Sequence, residues 1–181
     1  EKRGGAWMNP LLARSCTISS GDSVRCPVAV LVCNQTPPVD DIPSLLTFRE
    51  VETLFHEFGH GLHHMLTTVD ERMVAGISGV EWDAVELPSM WMEGWCTHRP
   101  TLKMMARHYD TGEPMPEALL EQLMAAKNFR AATGLRGQLG WTRVDLALHA
   151  GAPPSDPLEV QQAILGECWQ SGVLDGDMWI C

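Results

Sequence analysis

The chain is poor in positive charge. Its 181 residues carry 13 Lys and Arg against 23 Asp and Glu, a formal net charge of −10. That balance argues against a nucleic-acid partner and leaves no basic face for a membrane surface. Long apolar runs are missing too. The longest, Val28 to Cys33, has the length of a strand, too short for a signal-peptide core or a membrane span. None of the six cysteines (Cys16, Cys26, Cys33, Cys96, Cys168 and Cys181) stands in a CxxC pair. With no secretion signal, they are expected to be reduced thiols of a cytoplasmic protein, with a Cys16–Cys26 disulfide across a hairpin as the alternative. There is no internal repeat, no low-complexity tract and no initiator methionine. The start, Glu1-Lys2-Arg3-Gly4-Gly5, is expected to be a cut within a longer protein.

What is present is a globular composition, 45% apolar and 20% charged, at one domain's length. The chain is organised around Leu54-Phe55-His56-Glu57-Phe58-Gly59-His60-Gly61-Leu62-His63-His64. Thr47-Phe48-Arg49-Glu50 reads as a capping box, and Val51, Leu54, Phe55, Phe58, Leu62 and Met65 recur at helical spacing. The spacing predicts an amphipathic helix over 47–66. On it His56 and His60, four residues apart, share one face. Two such imidazoles can hold one zinc ion, and the glutamate between them can work on a zinc-bound water. Without a third ligand the same residues are simply a helix carrying two histidines. Gly59 and Gly61 are poor helix formers, each costing roughly 1 kcal/mol relative to alanine. They imply tight packing against a neighbour, or close approach of something beside the metal.

A catalytic zinc site needs a third protein ligand and an open fourth position. Residues 81–95 hold Glu81, Asp83, Glu86 and Glu93 among apolar residues. Read as one helix over 81–98, the stretch brings Trp82, Glu86, Ser89 and Glu93 near one face. Carboxylates on an apolar face are costly unless paired or metal-bound. A half-exposed helix with solvated acids is the alternative.

The rest sets an α+β fold, mainly α with a small N-terminal sheet. Ala6-Trp7-Met8, Ser15 to Ser19 and Pro27 to Asn34 read as strands, with a turn at Ser20-Gly21-Asp22. The strong strand, with Val30 and Leu31 at its centre, is a candidate edge for an extended substrate to join; a buried core strand is the alternative. A proline-rich loop closes the stretch 1–46, and 67–80 is a glycine-bearing loop. Helical structure is expected over 99–172: Met104 to His108, Pro116 to Asn128, Phe129 to His149 (weakened by Gly134, Gly137 and Gly140), and a last helix ending by Gly172. That helix opens with Asp156 as N-cap and Pro157 at its first position. Val173 to Cys181 fit no element and are read as an irregular end left by truncation or a frameshift.

Several separated stretches, in order, resemble the thimet oligopeptidase family, and within it the bacterial oligopeptidase A type. They are Lys2-Arg3-Gly4-Gly5-Ala6-Trp7, Pro27 to Asn34, the run Phe55 to Leu66, and Gly76 to Ser89. The resemblance covers most of residues 1–150 and implies a zincin-like catalytic core. It implies that His56 and His60 bind zinc, that Glu57 is the general base and that Glu86, in Glu-x-Pro-Ser, is the third ligand. One Zn2+ per chain is expected. Zinc can lower the pKa of a bound water from ~15.7 to about 7, and Glu57 would take its proton and pass it to the leaving amine. Asp83 and Glu93 are the candidates to fix the ligand histidines. His63, three residues from His60, is a candidate to line the cleft; ordinary polar contacts are its alternative, and His64 points elsewhere.

The chain departs from the family at Met90, where Gln is usual, at Gly94, where Asn is usual, and at Thr97-His98-Arg99. None of these removes a ligand. The family's later stretch of a histidine and several tyrosines, which assists the oxyanion and grips substrate, has no counterpart; the one tyrosine is Tyr109. The large N-terminal helical part is absent as well. The expectation is a partial metallopeptidase catalytic domain, whose parent hydrolyses short oligopeptides as a monomer. A truncated, non-catalytic zinc-binding fragment is the alternative for this chain.

Overall fold

The computed structural model describes residues 4–17 and 23–168. The turn at 20–22, the end of the last helix at Gly172 and the stretch 173–181 lie outside those residues. The described chain forms two compact units that divide at Leu120. The architecture is α+β: a small two-stranded sheet near the N-terminus, then helices.

In the first unit, β1 (Trp7–Leu12) pairs antiparallel with β2 (Val28–Val32). The β-branched Val-Ala-Val-Leu-Val sequence suits a pleated strand. Register runs Trp7↔Val32, Met8↔Leu31, Asn9↔Val30 and Pro10↔Ala29, then shifts before Leu12↔Val28. Pro10 has no N–H to give the ladder, and a bulge after it absorbs the break. Two expectations are corrected here. The first strand extends beyond Met8 to Leu12, and in place of a strand over 15–19 there is one isolated bridge between Ser15 and Arg25. Cys16 and Cys26 beside that bridge are thiols.

Helix α1 (Phe48–Met65) starts at Thr47, with both halves of a capping box made. The Glu50 amide donates to Thr47 Oγ1 at 3.3 Å, and the Thr47 amide donates to Glu50 Oε2 at 2.7 Å. The same carboxylate accepts from the Thr36 amide at 2.5 Å and hydroxyl at 2.8 Å, pinning the proline-rich loop to the helix start. These donors, the Thr47 amide foremost, hold the Glu50 carboxyl down at about 2 from its ordinary 4.5.

The helix lies on the sheet and against α2 (Leu87–Glu93). Its glycines mark both contacts. A Cβ on Gly61 would touch Leu31 at 3.4 Å, an ordinary contact. A Cβ on Gly59 would stand 2.5 Å from Ser89 Cα and 2.6 Å from the Pro88 carbonyl oxygen. Only glycine lets these two backbones meet. On another side His64, fully buried, donates from Nε2 to the Leu12 carbonyl at 2.8 Å and so ties α1 to the end of β1. Gly76, at φ +65°, passes beside that ring; a Cβ there would stand 2.5 Å from His64 Nδ1.

The stretch 81–98 is not one helix. Residues 81–86 form turns, α2 follows, and Gly94–Thr97 is a 3-10 turn. Pro88 explains the start. A helix running through it would need the N–H that proline lacks, and its ring would clash with the Ala84 carbonyl. Trp82 is consequently 95% exposed and does not share a face with Glu86, Ser89 and Glu93. Pro100 likewise sits in the first turn of a separate helix, α3 (Arg99–Met105). Arg99 and Lys103 of α3 pair with Glu117 at the start of α4 (Glu117–Asn128).

The second unit contains α5 (Ala131–His149) and α6 (Pro157–Cys168), which pack together. Gly140 makes the close approach: a Cβ there would stand 3.2 Å from both Leu165 Cδ2 and Cys168 Sγ. The glycines expected to weaken α5 thus include the one that admits its neighbour. Asp156 caps α6, accepting from the Leu158 and Glu159 amides at 2.9 and 3.1 Å. No helix among the described residues is long and apolar enough to cross a membrane.

Candidate active site

The helical spacing of α1 decides which side chains meet. His56 and His60, one turn apart, have ring centroids 5.0 Å apart at an interplanar angle of 83°. Both Nε2 atoms reach 3.2 Å from the same atom, Glu86 Oε2. Glu86 stands immediately before α2, where the turn forced by Pro88 aims it at α1. The close backbone contact at Gly59 sets the distance between the two segments.

Around this triad the other side chains fall into place. Glu93, near the C-terminal end of α2, takes His56 Nδ1 on its Oε1 at 2.5 Å. Asp83 is exposed and hydrogen-bonds neither histidine. Glu57 is only 7% exposed. It shares a cavity of about 340 Å³ with His56, Arg49, Thr53 and Glu93. Ser89, which the sequence places only near the face of Glu86 and Glu93, is fully buried. Its hydroxyl lies 2.8 Å from both the Glu86 carbonyl oxygen and Glu86 Oε2.

The residues expected to touch substrate are spread over different surfaces. His63 lines an apolar groove of about 440 Å³ with Leu62, Leu66, Pro88 and Trp91. Burial, then the neighbouring charges of His60 and His64, push its pKa below the usual histidine value. Val30 and Leu31 point to opposite faces of β2. Leu31 sits against Gly61 of α1, and Val30 is 39% exposed.

The chemistry of the donor set fits a divalent metal ion. Two imidazole nitrogens and one carboxylate oxygen lie within 4.8 Å of one another. Two histidines and a glutamate, with room for a fourth partner, are a ligand set found in catalytic zinc sites. His56 is oriented as such a ligand needs: with Nδ1 hydrogen-bonded to Glu93, its Nε2 is left to donate a lone pair.

Known proteins share this sequence closely. Organellar oligopeptidase A of Arabidopsis thaliana is 53% identical over 185 aligned positions, covering all of this chain and 23% of that protein. A probable cytosolic oligopeptidase A of the same plant is 52% identical, covering all of this chain and 26% of that protein. Oligopeptidase A of Escherichia coli is 47% identical, covering 91% of this chain and 24% of that protein. The chain therefore spans about a quarter of the length of these relatives. Residues 1–175 match peptidase family M3, a stretch that includes every residue of the His-His-Glu cluster, and the chain belongs to that family.

Proposed function

We propose that this chain is the metal-binding core of a zinc-dependent endopeptidase that hydrolyses short oligopeptides. The observation that carries the reading is the convergence of His56 Nε2 and His60 Nε2 on Glu86 Oε2, each at 3.2 Å, with Glu57 between the histidines in the chain. His56, His60 and Glu86 would hold one Zn2+ per chain. Zinc in that position supplies Lewis acidity, polarising a peptide carbonyl and acidifying water. Glu57 takes the proton of the attacking water on a carboxylate oxygen and returns it to the leaving amine. Glu57, only 7% exposed, lines the cavity beside His56. Glu93 holds the His56 ring through Nδ1. Asp83, which hydrogen-bonds neither histidine, has no such role in this reading. His63, in the apolar groove, and the strand bearing Val30 and Leu31 would contact an extended peptide. The assignment of residues 1–181 to one catalytic domain, a cytoplasmic location and a monomeric state belong to the same reading.

A second reading is a zinc-binding module without catalysis. What favours it is the single tyrosine, Tyr109, which stacks on His108 at 5.3 Å and lines neither cavity described above. A quenched fluorescent peptide assay separates the two. Cleavage that Glu57→Gln reduces by about 10²–10⁴-fold, with zinc retained, is the outcome expected of a general base. Cleavage unchanged by that substitution would contradict the role of Glu57. Zinc binding with no cleavage in the unaltered chain would favour the second reading.

A further inference from the structure

We propose that Ser89 is the positioning residue for the third metal ligand. The inference rests on the metallopeptidase reading above. His56 and His60 are fixed to each other by one helical turn, but Glu86 comes from a different segment. Its side chain is 51% exposed, so packing alone does not hold it. Among the described residues, what does touch its carboxylate, besides the two imidazoles, is the Ser89 hydroxyl. That hydroxyl is fully buried and lies 2.8 Å from Oε2, the atom both histidines approach. It is also 2.8 Å from the carbonyl oxygen of Glu86 itself. One proton shared between the two acceptors ties the side chain of Glu86 back to its own backbone and limits its rotamers.

Ser89 is itself fully buried. Its backbone packs directly on α1: a Cβ on Gly59, the residue before His60, would come within 2.5 Å of Ser89 Cα. The hydroxyl is thus referenced to the helix that carries the other two ligands. A carboxylate released from Ser89 would sample the solvent side and would have to be ordered when the ion binds.

The experiment is a double-mutant cycle in zinc affinity, read by chelator competition on the full chain. Ser89→Ala should weaken zinc binding by about 10–100-fold, the usual effect of removing a partner that orients a ligand. In a Glu86→Ala background the same change should have no further effect. A general structural defect would weaken binding equally in both backgrounds, and that result would overturn the proposal. So would a Ser89→Ala chain that binds zinc as tightly as the unaltered one. If Ser89→Ala does not fold, Ser89→Cys keeps the side-chain shape with a weaker donor and should show the same direction of loss. Failure of both variants to fold would assign Ser89 to packing and overturn the proposal. If the unaltered chain binds no zinc, the metallopeptidase reading fails with it. If it binds and the cycle is additive, only the Ser89 assignment fails.

Discussion

Glu93 Oε1 lies 2.5 Å from His56 Nδ1, and this contact leaves Nε2 as the ring nitrogen available to a metal. With Nδ1 engaged as donor, Nε2 is the nitrogen that faces Glu86. Glu93→Ala should therefore weaken zinc affinity by about 10–100-fold while leaving the helix intact. Glu93→Gln, which keeps an acceptor but loses the charge, should fall between. Competition with a chelator measures both, and equal affinity in all three chains would contradict the role.

Gly59→Ala should be costly at a position where alanine ordinarily improves a helix. A Cβ there meets Ser89 Cα and the Pro88 carbonyl at 2.5 and 2.6 Å, backbone atoms that cannot swing aside. Overpacking of this kind costs about 1–3 kcal/mol. Because the clash pushes apart the two segments that carry His60 and Glu86, zinc affinity should fall together with the thermal midpoint. Gly134→Ala, where nothing lies within 4 Å, should leave the midpoint unchanged or raise it.

The start of α1 should carry a pH signature. Glu50 has its pKa lowered from 4.5 to about 2 by the Thr47 amide first and the Thr36 and Thr47 hydroxyls next. A carboxyl depressed on folding contributes stability that is present in full above its unfolded pKa and is lost as pH falls through its folded one. Glu50→Gln should therefore melt below the unaltered chain at pH 7, and the gap should close between pH 4.5 and 2. A gap that persists at pH 2 would contradict the assignment to this carboxylate.

Much of α1 was legible because its signals are local. The Thr47–Glu50 capping box and the apolar spacing from Val51 to Met65 involve residues within a turn or two of one another, as does the Asp156-Pro157 start of α6. What the sequence hid depends on partners far along the chain. One difference is local instead: Pro88, whose missing N–H starts α2 late, interrupts the helix expected over 81–98 and leaves Trp82 in solvent. The course of β1 through Pro10 is set by pairing with β2, in which Leu12 meets Val28 and Trp7 meets Val32, and by the bulge after Pro10. Gly59 could be read as packing or as access, and the structure supplies its neighbour, the α2 backbone. Ser89 looked like one polar residue on a face; only the fold puts its hydroxyl on Glu86.

The most direct test is the zinc content of the purified chain beside its Glu86→Ala variant. The account predicts one zinc per chain, bound much more weakly in the variant. A folded, soluble chain that takes up no zinc, or a variant that binds as well as the unaltered chain, would contradict it.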